Sequence, residues 1–298
     1  MKAAGTAVHA QWPPAAYAAL WMAAWLALML FMPVAGREAA RELALVQVLE
    51  VRSLIGLLMI YPLVYRSGGL PAMATSRLWL HASRNLVHYL AQYGWFLAIT
   101  LIPLAQVISI EFTMPFWTAI LAVAFLGERM TFWKNAAVVL GLLGVVIIIR
   151  PGGADVSLGQ LIALATAVGF GVSVTMVKSL TRTETALSIM FWMVVIQALI
   201  GLLPALVAWR WPSLQVWGWL VVIAFCGTFS HYCMARALRY SDATVVVPMD
   251  FLRVPLSALV GWLVYAERID YFTAIGAVLI LAGNLLNLKG AEGSHVKA

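Results

Sequence analysis

Apolar residues form long segments along this chain, and most polar residues lie in short connections between them. A membrane-spanning helix needs about 20 mostly apolar residues, and segments of this kind occur ten times. In chain order, predicted helices 1 to 10 cover residues 14–34, 45–65, 77–97, 104–126, 131–149, 157–179, 187–208, 214–236, 243–265 and 270–288. The pattern therefore predicts an all-α integral membrane protein with ten transmembrane helices.

One stretch of the chain occurs twice. Residues Glu111–Gly144 and Asp250–Gly283 align without a gap at an offset of 139 positions. The aligned positions share a carboxylate, an aromatic ring, a Glu-Arg pair and a glycine. They are Glu111 with Asp250, Phe112 with Phe251, Glu128-Arg129 with Glu267-Arg268, and Gly144 with Gly283. Composition alone rarely keeps such a register, so we interpret it as an internal duplication.

The midpoint of the chain separates the two copies. Arg150-Pro151-Gly152-Gly153 combines proline with glycine, which marks a loop. We therefore expect two five-helix units, residues 1–150 and 151–298. Because five is odd, the second unit enters the membrane from the opposite side. An inverted-topology repeat of this kind is typical of secondary transporters, whose substrate site lies between the halves.

Lysine and arginine predict the orientation of these helices. With the N-terminus inside, eleven basic residues fall on the cytoplasmic side and five on the outer side. The positive-inside rule then places both termini in the cytoplasm. For a bacterial protein this is the inner membrane.

Composition supports the same protein class. The 298 residues are 63% hydrophobic and 10% charged, whereas soluble domains carry about 25% charged residues. No clear signal-peptide cleavage site follows Lys2, so predicted helix 1 is expected to be retained. The net charge of +7 is spread over the loops, which favours membrane orientation over nucleic-acid binding. Cys226 and Cys233 lie in one apolar segment and are interpreted as buried side chains without a disulfide.

Several motifs resemble those of the EamA family, within the drug/metabolite transporter (DMT) superfamily. They are the proline of predicted helix 4, Leu126-Gly127-Glu128-Arg129 before a glycine-spaced helix, and the second copy Ala266-Glu267-Arg268. Pro248–Arg253 and Arg84-Asn85 are similar to a subgroup that exports amino acids and related metabolites. The resemblance implies a central cavity lined by predicted helices 1, 3, 4, 6, 8 and 9. It also implies peripheral helices 5 and 10 and no cofactor.

Six charged residues lie inside the predicted helices: Glu50, Arg52, Arg84, Glu111, Asp250 and Arg253. A charge inside the membrane faces a cavity or a partner, because lipid exposure is costly. At about 1.5 Å per residue, Arg84 and Asp250 have similar depths, which predicts an ion pair between them. Glu111 is expected to pair with Arg52 or Arg253. Structural ion pairs, substrate contact, and a coupled proton site at Glu111 or Asp250 all remain alternatives.

Three helix faces carry a recurring chemical type. On predicted helix 3 the polar residues His81, Arg84, Asn85, His88 and Gln92 share one face. On helix 1 the aromatic residues are Tyr17, Trp21 and Trp25, and on helix 6 the comparable face holds Thr166, Gly169, Phe170 and Ser173. We favour a cavity wall for the helix 3 face. Interhelical hydrogen bonds are the alternative for helix 3. For the aromatic face of helix 1, packing or an interfacial aromatic belt is the first interpretation, and a cavity face that stacks on the substrate is the alternative. Glu128-Arg129 and Glu267-Arg268 are expected to be structural.

These features favour a secondary transporter of small polar or amphipathic metabolites. Fixed charges of both signs suit a zwitterion, so amino acids are the first expectation, and S-adenosylmethionine or a flavin is the larger alternative. A lipid-modifying membrane enzyme and a receptor are the competing classes, but no catalytic constellation or signalling domain supports them. The expected partners are the lipid bilayer and the substrate, with a monomer or homodimer as the assembly and no metal. The expected substrate-binding residues are Trp21, Trp25, Arg84, His88, Glu111, Asp250 and Arg253.

Overall fold

The chain folds into a bundle of helices. The structure, a computed structural model, describes residues 13–126, 130–150, 156–241 and 243–295. Within these ranges it contains twelve α-helices, a short 3-10 helix at Leu70–Met73, and no strand. Helices α1 to α12 are, in order, Pro14–Ala40, Leu45–Arg66, Leu78–Leu101, Leu104–Glu111, Met114–Leu126, Phe132–Ile149, Leu158–Leu180, Ala186–Val207, Leu214–Tyr240, Ala243–Asp250, Arg253–Tyr265 and Tyr271–His295.

Two predicted helices are broken at equivalent positions of the duplication. The predicted helix 104–126 divides into α4 and α5 after Glu111, and 243–265 divides into α10 and α11 after Asp250. Pro115 and Pro255 lie just beyond the two breaks. A proline lacks the N–H that would bond to the carbonyl four residues earlier, and its ring crowds that carbonyl. The prediction of two continuous helices is therefore corrected, although each pair still covers one candidate membrane span.

Four antiparallel helix pairs form the frame of the bundle: α1 with α9, α2 with α8, α3 with α7, and α6 with α12. Each pair joins a helix before the midpoint to one after it. In the duplication α1 corresponds to α7, α2 to α8, α3 to α9 and α6 to α12. The pair α1–α9 is therefore equivalent to the pair α7–α3, and each of the other two pairs joins two corresponding helices. This arrangement is expected for a duplicated architecture.

Glycines bring α6 and α12 into close contact. A Cβ atom on Gly144 would lie 2.6 Å from the carbonyl oxygen of Gly276, and one on Gly276 would lie 2.5 Å from that of Gly144. A side chain at either position would force the two backbones apart, so this interface requires glycine.

The connections gather at two opposite ends of the bundle. At the end we call the Arg150 end, Arg150 pairs with Asp270, and the backbone N–H of Ser213 donates to Glu42 at 2.6 Å. At the other, called the Arg77 end, Arg77 donates to the Ser179 carbonyl at 2.8 Å. The ring of Tyr17, near the start of α1, also lies at the Arg77 end and stacks on that of Tyr240.

Nine stretches of the described chain are long and apolar enough to cross a membrane, and they contain every α-helix except α3. The polar face of α3 points into the protein, where His81, Arg84, Asn85 and Gln92 are buried. Its opposite face exposes large apolar side chains, namely Trp79, Leu86, Leu90 and Leu101. Mean hydropathy therefore underestimates how well α3 fits a bilayer, because its polar groups do not face outward.

Candidate functional site

The two helix breaks meet in the middle of the bundle. The rings of Phe112 and Phe251, each the first residue after a break, pack edge to face with their centroids 5.5 Å apart. Glu111 and Asp250, one residue earlier, are brought into the same region. Broken helices at such a point leave backbone and charged groups available to a ligand, as in many transporters.

Arg253 lies between the two carboxylates. Its Nη2 atom is 2.9 Å from Glu111 Oε1, and its Nε atom is 3.5 Å from Asp250 Oδ1. The guanidinium carbon also lies 4.7 Å from the centroid of the Phe112 ring. Of the two partners expected for Glu111, the structure therefore selects Arg253. The equivalent position in the first copy is Met114, so one cation is shared by both acids.

Two tryptophans donate hydrogen bonds to the same carboxylates. Trp25 Nε1 donates to Asp250 Oδ1 at 2.6 Å, and Trp95 Nε1 donates to Glu111 Oε2 at 2.8 Å. A hydrogen bond to an ionised acceptor is stronger than one between neutral groups. Each acid therefore faces an indole N–H as well as the shared guanidinium, which fixes its direction.

These residues form one wall of a central cavity of about 350 Å³. Its lining combines charged, imidazole, aromatic and methionine side chains: Trp25, Met29, Met32, Arg52, His88, Gln92, Trp95, Phe96, Glu111, Met114, Phe170, Gly227, Ser230, His231, Met234, Asp250 and Arg253. The lining comes from predicted helices 1, 3, 4, 6, 8 and 9, as the resemblance implied. Helix α2 adds Arg52, whereas none of the described side chains of α6 and α12 line the cavity.

Arg52 supplies the second cation of the cavity. Its Nη1 atom donates to the Gln92 side-chain oxygen at 3.0 Å. Among the described residues, no carboxylate lies within ion-pair distance of Arg52. Its guanidinium lies against α9 at Gly227, where a Cβ atom would come within 3.0 Å of Nε. Arg253 thus pairs with two acids, whereas Arg52 keeps N–H donors that can bind an anionic group of a ligand.

Five of the seven predicted site residues line the cavity: Trp25, His88, Glu111, Asp250 and Arg253. Trp21 and Arg84 lie outside it. Trp21 faces the guanidinium of Arg236 at 5.3 Å, close to the Arg77 end. Phe170 of the helix 6 face also lines the cavity, and Ser173 bonds with His88 at 3.2 Å.

The expected ion pair between Arg84 and Asp250 is wrong. Arg84 donates to Asn85 at 2.7 Å, and Asp250 contacts Trp25 and Arg253. Similar depth along two helices does not place two side chains on facing sides. The Arg84-Asn85 turn faces α8, because Asn85 donates to the Trp192 carbonyl at 3.3 Å.

Seven polar or aromatic lining residues were absent from the predicted site: Arg52, Gln92, Trp95, Phe96, Phe170, Ser230 and His231. Trp95 follows His88 by seven residues and Gln92 by three, so helical spacing alone places it on the same face. His231 had no such signal, because it reaches the cavity through the packing of α9 on α1, where its ring lies 6.5 Å from that of Trp25.

The structural role expected for Glu267 agrees with its contacts. Glu267 accepts from Arg37 at 2.5 Å and from the backbone N–H of Leu104 at 2.9 Å. It therefore ties the connection between α11 and α12 to α1 and to the start of α4. Glu128-Arg129, the other copy of this pair, lies outside the described residues.

Known proteins share both the sequence pattern and the fold. The EamA-like transporter family model matches residues 16–150 and again residues 157–289. The chain belongs to this family. The two matches make it a protein of two EamA repeats.

Curated relatives of this EamA protein are named as transporters. A riboflavin transporter of Brucella anthropi is 32% identical over 247 residues, covering 80% of this chain and 86% of the relative. An S-adenosylmethionine uptake transporter of Rickettsia prowazekii is 27% identical, covering 76% of this chain and 77% of the relative. A pseudopaline exporter of Pseudomonas aeruginosa is 27% identical over 269 residues, covering 86% and 90%.

A solved crystal structure that is 20% identical has the same fold. It superposes with a TM-score of 0.61 and covers 91% of this chain and 96% of the other. Family and relatives together indicate a multi-pass membrane transporter rather than an enzyme. The alternative of a lipid-modifying membrane enzyme is therefore not supported.

Proposed function

We propose that this EamA protein is a secondary transporter of zwitterionic, ring-bearing metabolites, moved through the central cavity by alternating access. The observation that carries the proposal is the composition of that cavity. One wall holds two carboxylates with a shared guanidinium, Arg52 supplies a second guanidinium, and aromatic rings complete the lining. A cavity of about 350 Å³ suits a ligand of metabolite size.

The substrate is expected to bind through both ends of its charge distribution. A substrate carboxylate fits Arg52, because a guanidinium binds carboxylates through parallel N–H donors. A substrate cation fits the side of Glu111 and Asp250, whose charges exceed that of Arg253 by one. Trp95 and Phe170 offer flat faces for a ring or a cation.

This class includes amino acids and larger amino-acid derivatives. Among these compounds, S-adenosylmethionine has a group for each type of lining side chain. It combines a carboxylate, an ammonium group, a sulfonium group and an adenine ring. Riboflavin is the second candidate. The aromatic lining favours it, but it has no formal charge to engage Arg52 or the acids.

The membrane arrangement belongs to the proposal. We assign ten transmembrane helices in two inverted repeats, residues 1–150 and 151–298, with both termini cytoplasmic. Nine of these helices are the candidate spans described above, and α3 is the one added to them. It packs along α7 from Arg77, beside Ser179, to Ile102, which lies against Gly159. A helix that runs the whole length of a spanning neighbour must also cross the bilayer.

Counterflow in proteoliposomes tests the function. Vesicles loaded with unlabelled S-adenosylmethionine should accumulate external labelled S-adenosylmethionine, and protein-free vesicles should not. Parallel assays with riboflavin or an amino acid, each as both the loaded and the labelled compound, define the substrate class. Accumulation only in riboflavin-loaded vesicles would overturn the zwitterion assignment, and chemical conversion of the label would overturn transport. No accumulation with any of the three would overturn the proposed substrate class.

A further inference from the structure

A buried acid without a hydrogen-bond partner lies two residues before Arg52, which lines the central cavity. Glu50 of α2 is 2% exposed, and neither of its carboxylate oxygens has a hydrogen-bond partner among the described residues. It is not one of the residues that line the central cavity. The transport site described above therefore leaves Glu50 without a role.

The carboxyl group of Glu50 and the hydroxyl group of Tyr89 both lie against Gly201 and form no hydrogen bond with each other. A Cβ atom on Gly201 of α8 would lie 2.6 Å from Glu50 Oε2 and 3.0 Å from the Tyr89 oxygen. Tyr89 Oη and Gln197 Nε2 are themselves buried without partners. Gln197 is one helical turn from Gly201, so three unsatisfied polar side chains converge at the contact of α2, α3 and α8.

Among the residues that the structure describes, no cation forms an ion pair with Glu50. Helix α8 contains no charged residue between Ala186 and Val207, and α3 carries Tyr93 one helical turn after Tyr89. Cations on the packed helices are engaged elsewhere: Arg52 with Gln92, Arg84 with Asn85, Arg37 with Glu267, and Arg236 with Tyr240. His231 of α9 faces the central cavity.

A carboxylate in such a place is expected to bind a proton. Burying an unpaired charge is far costlier than burying a neutral group, so the acid neutralises instead. A neutral carboxyl group also gains an O–H donor. Tyr89 Oη or a water molecule can accept its hydrogen bond. Ionised Glu50 would instead present acceptors only.

A small side cavity borders Gln197 of this cluster and several residues of the central cavity. It measures about 20 Å³, enough for one water molecule. Gln197 and Ser53 line it, and it shares Arg52, Gly227 and His231 with the central cavity. Room for a water molecule therefore exists beside Gln197, next to residues that also line the central cavity.

We propose that Glu50 is a proton-binding site that couples proton movement to transport. A proton from water binds the carboxylate to give the neutral acid in the conformation seen here. The same proton returns to water when the helices rearrange. The coupling rests on the proposed transport function, whereas proton binding at Glu50 does not.

Infrared spectroscopy of the full-length protein in liposomes tests proton binding without any substrate. The parent should show the carbonyl stretch of a protonated carboxyl group that disappears when the buffer is made alkaline. Glu50→Gln should lose this band. Asp270→Asn, which changes an acid at the Arg150 end, should keep it. Tyr89→Phe removes the neighbouring hydroxyl and should shift the band, which keeps the test valid if Glu50→Gln folds poorly. A band that is unchanged in both Glu50→Gln and Tyr89→Phe would overturn the proposal.

A pH-sensitive dye inside the same vesicles tests coupling. Adding S-adenosylmethionine should drive proton flux in the parent, and Glu50→Gln should lose the flux while retaining exchange of labelled substrate. Exchange without proton flux in the parent would overturn coupling. If the parent exchanges no substrate, the proposed function fails, and the infrared band still decides whether Glu50 binds a proton.

Discussion

Phe112 and Phe251, which occupy the same position in the two repeats, touch each other edge to face with ring centroids 5.5 Å apart. Equivalent residues can meet only near the axis that relates the repeats. The carboxylates Glu111 and Asp250 therefore flank this axis. The pseudo-symmetry is broken by Arg253, because its counterpart is Met114. The fold thus builds a symmetric pair of acids and gives them a single asymmetric cation.

The first prediction removes this cation. Arg253→Met makes the two repeats alike but leaves two buried carboxylates without it, and breaking a buried ion pair costs about 3–5 kcal/mol. We expect a lower unfolding temperature in detergent. Adding Glu111→Gln should recover part of the loss, because one uncompensated charge is then removed.

Arg150→Met is the matched control. It deletes an arginine from the partly exposed pair with Asp270, and exposed pairs contribute about 0–1 kcal/mol. Equal losses for the two arginine variants would contradict the assignment of Arg253 as the structural partner of both acids.

The second prediction separates the tryptophans. Trp25→Phe and Trp95→Phe keep a ring but remove the indole N–H that orients Asp250 and Glu111. Losing a hydrogen bond to a charged group costs about 1.5–3 kcal/mol, so substrate affinity should fall about 10- to 100-fold. Trp21→Phe should leave affinity unchanged, because Trp21 lies outside the cavity. Binding measured by thermal shift over a ligand titration distinguishes the three variants.

The arginines show which parts of this site can be predicted from the sequence and which cannot. Apolar segments locate the helices, and helical spacing places His88, Gln92 and Trp95 on one face. Charge and depth narrow the partner of Glu111 to two arginines. They cannot choose between them, and they wrongly pair Arg84 with Asp250, because lateral position depends on how helices rotate and pack. Pro115 and Pro255 mark the breaks in sequence, yet proline often only bends a helix.

The third prediction concerns the guanidinium group of Arg52, which bonds to Gln92 and has no carboxylate partner among the described residues. Arg52→Lys keeps the charge but loses the planar donors, so a substrate with a carboxylate should compete about tenfold less well in counterflow. An analogue in which an amide replaces the carboxylate should compete equally against parent and variant. Arg84→Lys should change neither, since Arg84 bonds to Asn85 outside the cavity. If Arg52→Lys weakens both compounds alike, Arg52 does not read the carboxylate.

The fourth prediction concerns orientation. Trp211, in the connection between α8 and α9, is strongly exposed at the Arg150 end, and Arg182 follows α7 at the Arg77 end. A membrane-impermeant maleimide added to whole cells should label Trp211→Cys and spare Arg182→Cys. Both native cysteines are buried, so the parent supplies a low background. The reverse pattern would invert the topology proposed here.

The last prediction concerns the barrier at the Arg150 end. Arg37 of α1 donates to the carbonyls of Ile99 at 2.5 Å and Ile102 at 3.0 Å, and to Glu267. Glu267 in turn caps the start of α4 through the N–H of Leu104. One arginine therefore joins α1, the end of α3 and the connection before α12, which belong to both repeats. We expect these contacts to hold the Arg150 end closed.

Arg37→Gln should loosen that end. Ser230→Cys places a thiol in the central cavity, and an impermeant maleimide should label it faster from outside when Arg37→Gln is added. Arg41→Gln is the control, because Arg41 pairs with Glu38 on the exposed surface. Both residues belong to the first repeat, so this pair does not join the two repeats. Alternating access requires that contacts closing one end differ in energy between the two states. Equal labelling rates with and without Arg37→Gln would therefore remove Arg37 from the barrier, even if the variant unfolds at a lower temperature.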